Sequence, residues 1–371
     1  MKILLNIEVV VIGAIIAQGF FAGLILPFFR NNHNANRILA ILVMLFSLWL
    51  CDTFFRVSGI FDQYSNFYFI PIYYSLAFGP LIYFYTKALT ENKFSLNNKH
   101  LLHFIPVILQ MCFYTFLQTQ GNEFRIWFWQ EIHQPYTYNL EFILSFLSFL
   151  FYLILSLKSL QSYQKWIKNN YSDISKIKLN WLRYTHLLIM VLITFWVFDA
   201  LIRLFTDYDF DKPLSSMSIG FTIIFLAMGS LTQTDLKDIV KETSVIPPNT
   251  NIEEALDFSL ITKIEQAMKE EKMYLKSELT LKEFAQSLGA STRKISRHIN
   301  FGLNLPFIDF VNHYRVAHVK DLIEQGKTKQ LSLVGIAMES GFNSKSTFNR
   351  VFKKLTGNSP SEYQKMVQNE L

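Results

Sequence analysis

The chain has 371 residues, enough for two or three domains. It is 51% hydrophobic, contains 36 Phe and has a mean hydropathy of +0.22, a balance that argues against an ordinary water-soluble globular protein. The formal charge is +6, and it is unevenly placed: Lys and Arg outnumber Asp and Glu by 17 to 11 from Leu260 onward and balance them before it. The surplus lies where an anionic partner would bind. Two cysteines, Cys51 and Cys112, both inside apolar runs, exclude a disulfide framework and a Cys-based zinc site and are expected to be small buried hydrophobes. No Gly-rich phosphate loop, His-Glu-x-x-His or Cys-x-x-Cys occurs, so no catalytic residue, cofactor or metal is expected.

Residues 1–232 read as a transmembrane domain. Seven apolar runs approach or reach the roughly 20 residues that a helix needs to cross a hydrocarbon core. They are Ile7–Phe29, Ile38–Phe55, Phe67–Thr86, Leu101–Leu117, Leu140–Leu157, Trp181–Leu204 and Leu214–Leu231. The first run is too long, and lacks the small-residue cleavage site, for a removable signal peptide. The odd-numbered loops carry 11 basic residues: Arg30, Arg37, Lys87, Lys93, Lys99, Lys158, Lys165, Lys168, Lys176, Lys178 and Arg183. The even loops hold Arg125 and Lys212, with Arg56 and Arg203 at helix edges. By the positive-inside rule the N-terminus is outside and the C-terminus cytoplasmic, across a bacterial inner membrane. Membrane lipid is then a partner.

Four ionisable residues stand near the outer membrane edge. Trp49-x-x-Asp52-x-x-x-Arg56 and Trp196-x-x-Asp199-x-x-x-Arg203 share one spacing, and in each the acid and base lie four apart on one helix face. The recurrence is open to two readings: parallel three-helix repeats joined by the fourth helix, or ordinary snorkelling ion pairs. Asp52, Arg56, Asp199 and Arg203 are candidate walls of a sensor pocket for an unknown signal molecule. Gln118–Leu140 is the longest outer connection. Its Trp127, Trp129, His133 and Tyr136 suit interfacial anchoring or ligand docking.

Residues 233–256 read as a linker, because Pro247-Pro248 cannot continue a helix. Residues 257–371 read as a soluble helical domain. Thr280-x-x-Glu283 is a capping box for a helix Leu281–Leu288 that stops at Gly289. Ser291 starts the next helix, with Ile295 and Ile299 inward and Arg293, Lys294, Ser296, Arg297 and His298 outward. A long helix, Pro306–Gln325, leads to a second pair. There Leu333, Ile336 and Ala337 recur at helical spacing, Gly341 ends the helix, and Asn343 or Ser344 caps the next. That helix has Phe348, Val351, Phe352 and Leu355 on one face. Lys345, Ser346, Asn349, Arg350, Lys353 and Lys354 lie on the other. Each pair, two helices joined by a Gly turn with a basic outer face, has the form of a helix-turn-helix.

At these residues the chain resembles the AraC/XylS family of transcription regulators. The resemblance rests on Ile336-Ala337, Gly341-Phe342, Ser344, Phe348, Arg350, Phe352-Lys353, Gly357, Ser359-Pro360 and Tyr363, all at the family's spacing. Gln364 stands where the family often has Arg, Asn304 where Gly is usual, and Asn300 where Lys is usual. Arg315 stands where a basic residue is common. The likeness covers roughly the last 110 residues. It implies double-stranded DNA as partner and two recognition helices held in successive major grooves by the linking helix. Arg293, Ser296 and Arg297, with Lys345, Ser346, Thr347 and Asn349, would read base edges. Arg350, Lys353 and Lys354 would hold phosphates. A homodimer and RNA polymerase are further candidate partners.

The expected whole is all-α: a seven-helix transmembrane bundle followed by a double helix-turn-helix. Its expected function is a membrane-embedded transcription regulator. The alternative is a transporter or other membrane protein with a DNA-binding tail for self-regulation.

Overall fold

A computed structural model of the chain describes residues 6–29, 31–91, 94–175, 177–205, 212–233 and 257–370. These residues are helices and connections, with one isolated antiparallel bridge, Tyr171 to Thr280. The expected linker, residues 233–256, lies outside the described residues except for Gln233. Contacts divide the chain into two compact units. One holds residues 1–161 and 179–241; the other holds 162–178 and 242–371.

The main helices of the first unit are α1 (Ile7–Ile25), α2 (His33–Val57), α3 (Phe78–Thr90), α4 (Ile105–Thr119), α5 (Tyr138–Asn170), α6 (Asn180–Phe205) and α7 (Lys212–Thr232). Four helical stretches are long and apolar enough to cross a membrane by length and composition: Ile7–Phe28, His33–Val57, Asn98–Thr119 and Asn122–Asn170. Among the described residues α7 contributes a shorter apolar stretch, Ser218–Leu231. Helix α2 packs on α1, α3 and α7. Its inward polar groups are paired, as an apolar interior demands. Asn36 meets the Ser230 hydroxyl, and the Asn32 side chain donates to the Gln233 carbonyl at 3.3 Å. Thr86 of α3 bonds the buried His186 ring of α6 at 3.1 Å, while Ser47 and Thr86 also return their hydroxyls to carbonyls one turn back. Many large apolar side chains point outward, among them Phe21, Leu109, Phe116, Leu147, Val191 and Phe221. Outward apolar faces on nearly every helix are the inverse of a soluble fold.

Three expectations need adjustment. The third run is not one long helix. Residues 68–74 are irregular, Phe69 takes a left-handed φ of 61° before Pro71, and regular helix begins only at Phe78. The connection 118–140 is mostly helical: Asn122–Phe128, then a wider π-type winding, Trp129–Thr137, that runs into α5. Pro135 explains the wide winding, since it removes an i→i−4 donor. Cys112 is exposed rather than buried, on the outward apolar face of α4 beside Leu109 and Phe116.

The second unit contains α8 (Phe258–Lys269), α9 (Leu281–Ser287), α10 (Thr292–Arg297), α11 (Phe307–Glu324), α12 (Leu333–Glu339), α13 (Lys345–Thr356) and α14 (Pro360–Glu370). The caps read from the sequence at Thr280, Ser291 and Ser344 are present, and Ser332 adds another. Thr280 and Glu283 form the reciprocal box, Ser291 and Ser332 cap α10 and α12, and Ser344, not Asn343, caps α13. Asn304 is left-handed, at φ 52°, as its place in the family's Gly position requires. Two separate apolar cores form. Phe284, Ile295, Ile299, Phe307 and Val311 lie in the first, and Val319, Ile336, Phe342, Phe348 and Phe352 in the second. Helix α11 feeds both, so one rigid rod carries the two half-motifs.

Gly289 and Gly341 end the first helix of each half-motif at φ 62° and 89°. Only Gly341 is crowded: a Cβ there would run into the Tyr274 carbonyl oxygen, whereas a Cβ on Gly289 would meet open space. Gly289→Ala should therefore cost about 1–2 kcal/mol, the left-handed penalty alone, and Gly341→Ala clearly more. Hydrogen exchange of the α12 and α13 amides in the full chain checks this. Equal loss of protection in the two variants would contradict the packing described.

Candidate nucleic-acid interface and an N-terminal polar site

The outer face of α13 is built by its inner one. Burial of Phe348, Val351 and Phe352 turns Lys345, Ser346, Asn349, Arg350, Lys353 and Lys354 outward, and all six are exposed. Thr347 is half-buried and receives the Ser344 hydroxyl at 2.9 Å. Lys354 is tied to Asp309 of α11 at 3.2 Å, so its charge is partly committed within the domain. Lys353 lies in the same turn and is exposed.

In the first half-motif Ile295 is buried, Arg293 is exposed, and Ser296 and Arg297 are half-buried. The Asn300 amide donates to the Ser296 hydroxyl at 3.0 Å, which leaves that hydroxyl's proton for another acceptor. Asn300 thus orients a candidate base reader where the family's usual Lys would reach outward. Of the residues expected on the outer face, His298 turns inward, and Lys294 is exposed as expected but paired. His298 is 3% exposed, and its ring accepts the Asp257 backbone N–H at 2.8 Å. Lys294 pairs with the Asp257 carboxylate at 3.1 Å. The Ser259 hydroxyl, Lys294 and the Leu260 N–H together hold the Asp257 carboxyl well below the usual carboxylate range. Helix α10 ends at Arg297, and the chain winds wider from His298 to Gly302.

Sequence reasoning passed over the part that Arg315 plays. It is 1% exposed, the largest of the fully buried side chains. Its Nε donates to the Tyr274 carbonyl at 2.9 Å and its Nη2 to the Lys276 and Ser277 carbonyls at 2.8 and 3.2 Å. Nη2 also reaches the Ser172 hydroxyl at 3.2 Å, and the guanidinium lies 5.9 Å from the Phe342 ring centre. Burial lowers the Arg315 pKa to about 10, against the opposing pull of Asp173, so the group stays charged at neutral pH. The family position alone signals a basic residue there; only the fold shows that it faces inward.

In the first unit, Asp52 and Arg56 form the ion pair expected, at 2.9 Å. The structure adds aromatic residues to it. The Arg56 guanidinium lies 4.8 Å from the Trp129 ring centre and 5.2 Å from that of Phe61, while Trp129 stacks on Tyr68. Nearby, Glu141 accepts from Tyr114 at 2.7 Å and from Gln110. Asp52, Arg56, Trp129, His133, Tyr114 and Glu141 line a common cavity of about 40 Å³, room for a water or two. Trp127 and Tyr136, by contrast, are exposed and outside this lining. Helix α6 contains Asp199 and Arg203, but their side chains lie outside the described residues.

Residues 284–366 match the helix-turn-helix domain family. The chain is also similar to uncharacterised HTH-type transcriptional regulators of Staphylococcus aureus strains COL, MSSA476 and MRSA252. Each is 29% identical over 102 residues, which cover 27% of this chain. The chain spans only about 13% of the length of these relatives. No solved structure matches it. The second unit therefore carries a helix-turn-helix domain of the AraC type, homologous to part of HTH-type transcriptional regulators.

Proposed function

We propose that the chain is a membrane-embedded, sequence-specific DNA-binding transcription regulator whose N-terminal unit senses a signal. The observation that carries this reading is the pair of outward polar faces, on α10 and α13, held on one linking helix. Such an arrangement can enter two successive major grooves about 34 Å apart. Arg293, Ser296 and Arg297, with Lys345, Ser346, Thr347 and Asn349, then read base edges. Arg350 and Lys353 hold phosphates, with Lys354 a weaker contributor because Asp309 shares it. The apolar helices supply the membrane anchor, and loop charge puts the DNA-binding unit in the bacterial cytoplasm. The Asp52–Arg56–Trp129 cluster is the best sensor candidate, since it gathers ionisable and aromatic groups at the end of an apolar helix. At its present volume a ligand larger than water must open it.

The primary test is DNA binding by the full chain in lipid nanodiscs, using duplexes from its own upstream region and random duplexes. Selective binding with a steep salt slope is expected; equal affinity for both DNAs would refute the regulator reading. Arg297→Ala should lower affinity for the cognate duplex about 5- to 150-fold and random DNA much less, the loss expected for a base contact. If both fall alike, Arg297 is not a base reader. Lys353→Ala should weaken all sequences to a similar extent and reduce the salt slope by about one. Orientation is checked by single cysteines, placed on a background lacking Cys51 and Cys112, and labelled from outside intact cells. Residues in the 118–140 connection should react with a membrane-impermeant reagent. A cysteine replacing Lys165 should not.

A further inference from the structure

Residues 162–178, the end of α5 and the turn after it, pack with the helix-turn-helix domain as part of the second unit. The segment has buried residues and an internal contact of its own. Ile167, Tyr171, Ser172 and Ile177 are buried, and the Tyr163 hydroxyl donates to the Ile177 carbonyl at 2.8 Å. It touches both half-motifs. The Ser172 N–H donates to the Leu279 carbonyl at 3.0 Å, and Tyr171 bridges Thr280, the cap of α9. Ser172 also offers its hydroxyl to Arg315. Asp173 then reaches the second half-motif: the Asn343 amide donates to its Oδ2 at 2.9 Å. The other groups on that carboxylate are the Ser175 N–H at 2.9 Å and hydroxyl at 3.1 Å; it is half-buried, and its charge also acts on the buried Arg315 guanidinium.

Asn343 stands immediately before the cap of α13 and two residues before Lys345, the first of the proposed base readers. A carboxylate fixed there sits at the edge that must approach DNA phosphates. The carboxylate's own effect on an incoming polyanion is repulsive and local to the start of α13, opposite in sign to that of the segment's lysines, Lys165, Lys168, Lys176 and Lys178.

We infer that residues 162–178 form a docked brake on DNA binding: in the docked state Asp173 lowers the affinity of the second recognition helix for DNA, and undocking restores it. The occupant of this surface on the DNA-binding domain is thus a named segment of the same chain. The segment joins α5 to α6, so a signal that shifts either helix acts on the docked residues through the main chain. By linkage, what docking does to DNA affinity DNA must do to docking. The inference rests on the regulator reading above.

The test is the full chain in nanodiscs, wild type against Asp173→Asn, titrated with duplex from its own upstream region and with random duplex. The asparagine keeps the size of the side chain and can still accept from Asn343, but removes the charge. Affinity should rise about three- to tenfold at ~0.1 M salt, and the gain should shrink as salt increases, as a single screened charge requires. A second readout is exchange of the Ser172 amide in the wild type. Saturation with the upstream duplex should speed it, because that duplex selects the undocked state. Equal affinities of the wild type and Asp173→Asn, or Ser172 protection that holds or increases with DNA, would overturn the brake while leaving the regulator reading intact. If neither protein prefers its own upstream DNA over random DNA, the regulator reading falls and the brake with it.

Discussion

A buried guanidinium holds the second unit together. Arg315 projects from the one helix that serves both half-motifs, and its donors are spent on the carbonyls of 274–277 and on Ser172. A cation that is 1% exposed is tolerable only if its hydrogen-bonding capacity is filled and some negative charge stands near. Carbonyl dipoles supply the first condition and Asp173 the second. Arg315 has a chain-length consequence as well. It pins the loop after α8 against the turn containing Gly341, which is why that turn has no space for a Cβ. Removing the arginine would leave several buried carbonyls unpaired at once, a cost of a different order from losing one surface ion pair.

The division of labour between the two units follows from where apolar groups point. In the second unit the apolar residues turn inward into two cores and the exposed faces are charged. In the first, large apolar side chains cover the outside, and the polar ones pair in the interior, as Asn36 with Ser230 and Thr86 with His186 do. Without water to take up spare polar groups, each such pair fixes two helices relative to one another more firmly than apolar contact alone. The Asp52–Arg56 pair is of another kind. It lies at the end of α2, partly exposed, and is shared with aromatic faces whose attraction for a cation persists if the carboxylate moves.

Most of the helix-turn-helix was legible from sequence because local rules and tertiary packing agree there. Serine caps, the Thr280–Glu283 box, left-handed glycines and a stripe such as Phe348, Val351 and Phe352 all point to one structure. Legibility failed where a long-range partner decides. His298 and Lys294 sit on the outward side of the α10 pattern, yet Asp257 draws both into an N-cap network. Arg315 looks like one more basic residue on a helix until the carbonyls it satisfies are seen. In the apolar half, hydropathy located the helices but not their breaks. Phe69, with its positive φ, interrupts a run whose hydropathy reads as continuous, and the polar stretch through Pro135, read as a connection, is wound as helix.

The least legible feature was the allegiance of residues 162–178. Charge placed Lys165, Lys168, Lys176 and Lys178 in a simple cytoplasmic loop, and nothing local distinguishes that loop from a solvated connector. Yet α5 runs for 33 residues without a breaker, carrying Tyr163 and Ile167 past the end of its apolar run to buried positions within the second unit. Beyond its end, Ser172 and Asp173 touch Arg315 and the turn before the second recognition helix, so the same few polar contacts that satisfy the buried guanidinium also hold this segment on the second half-motif.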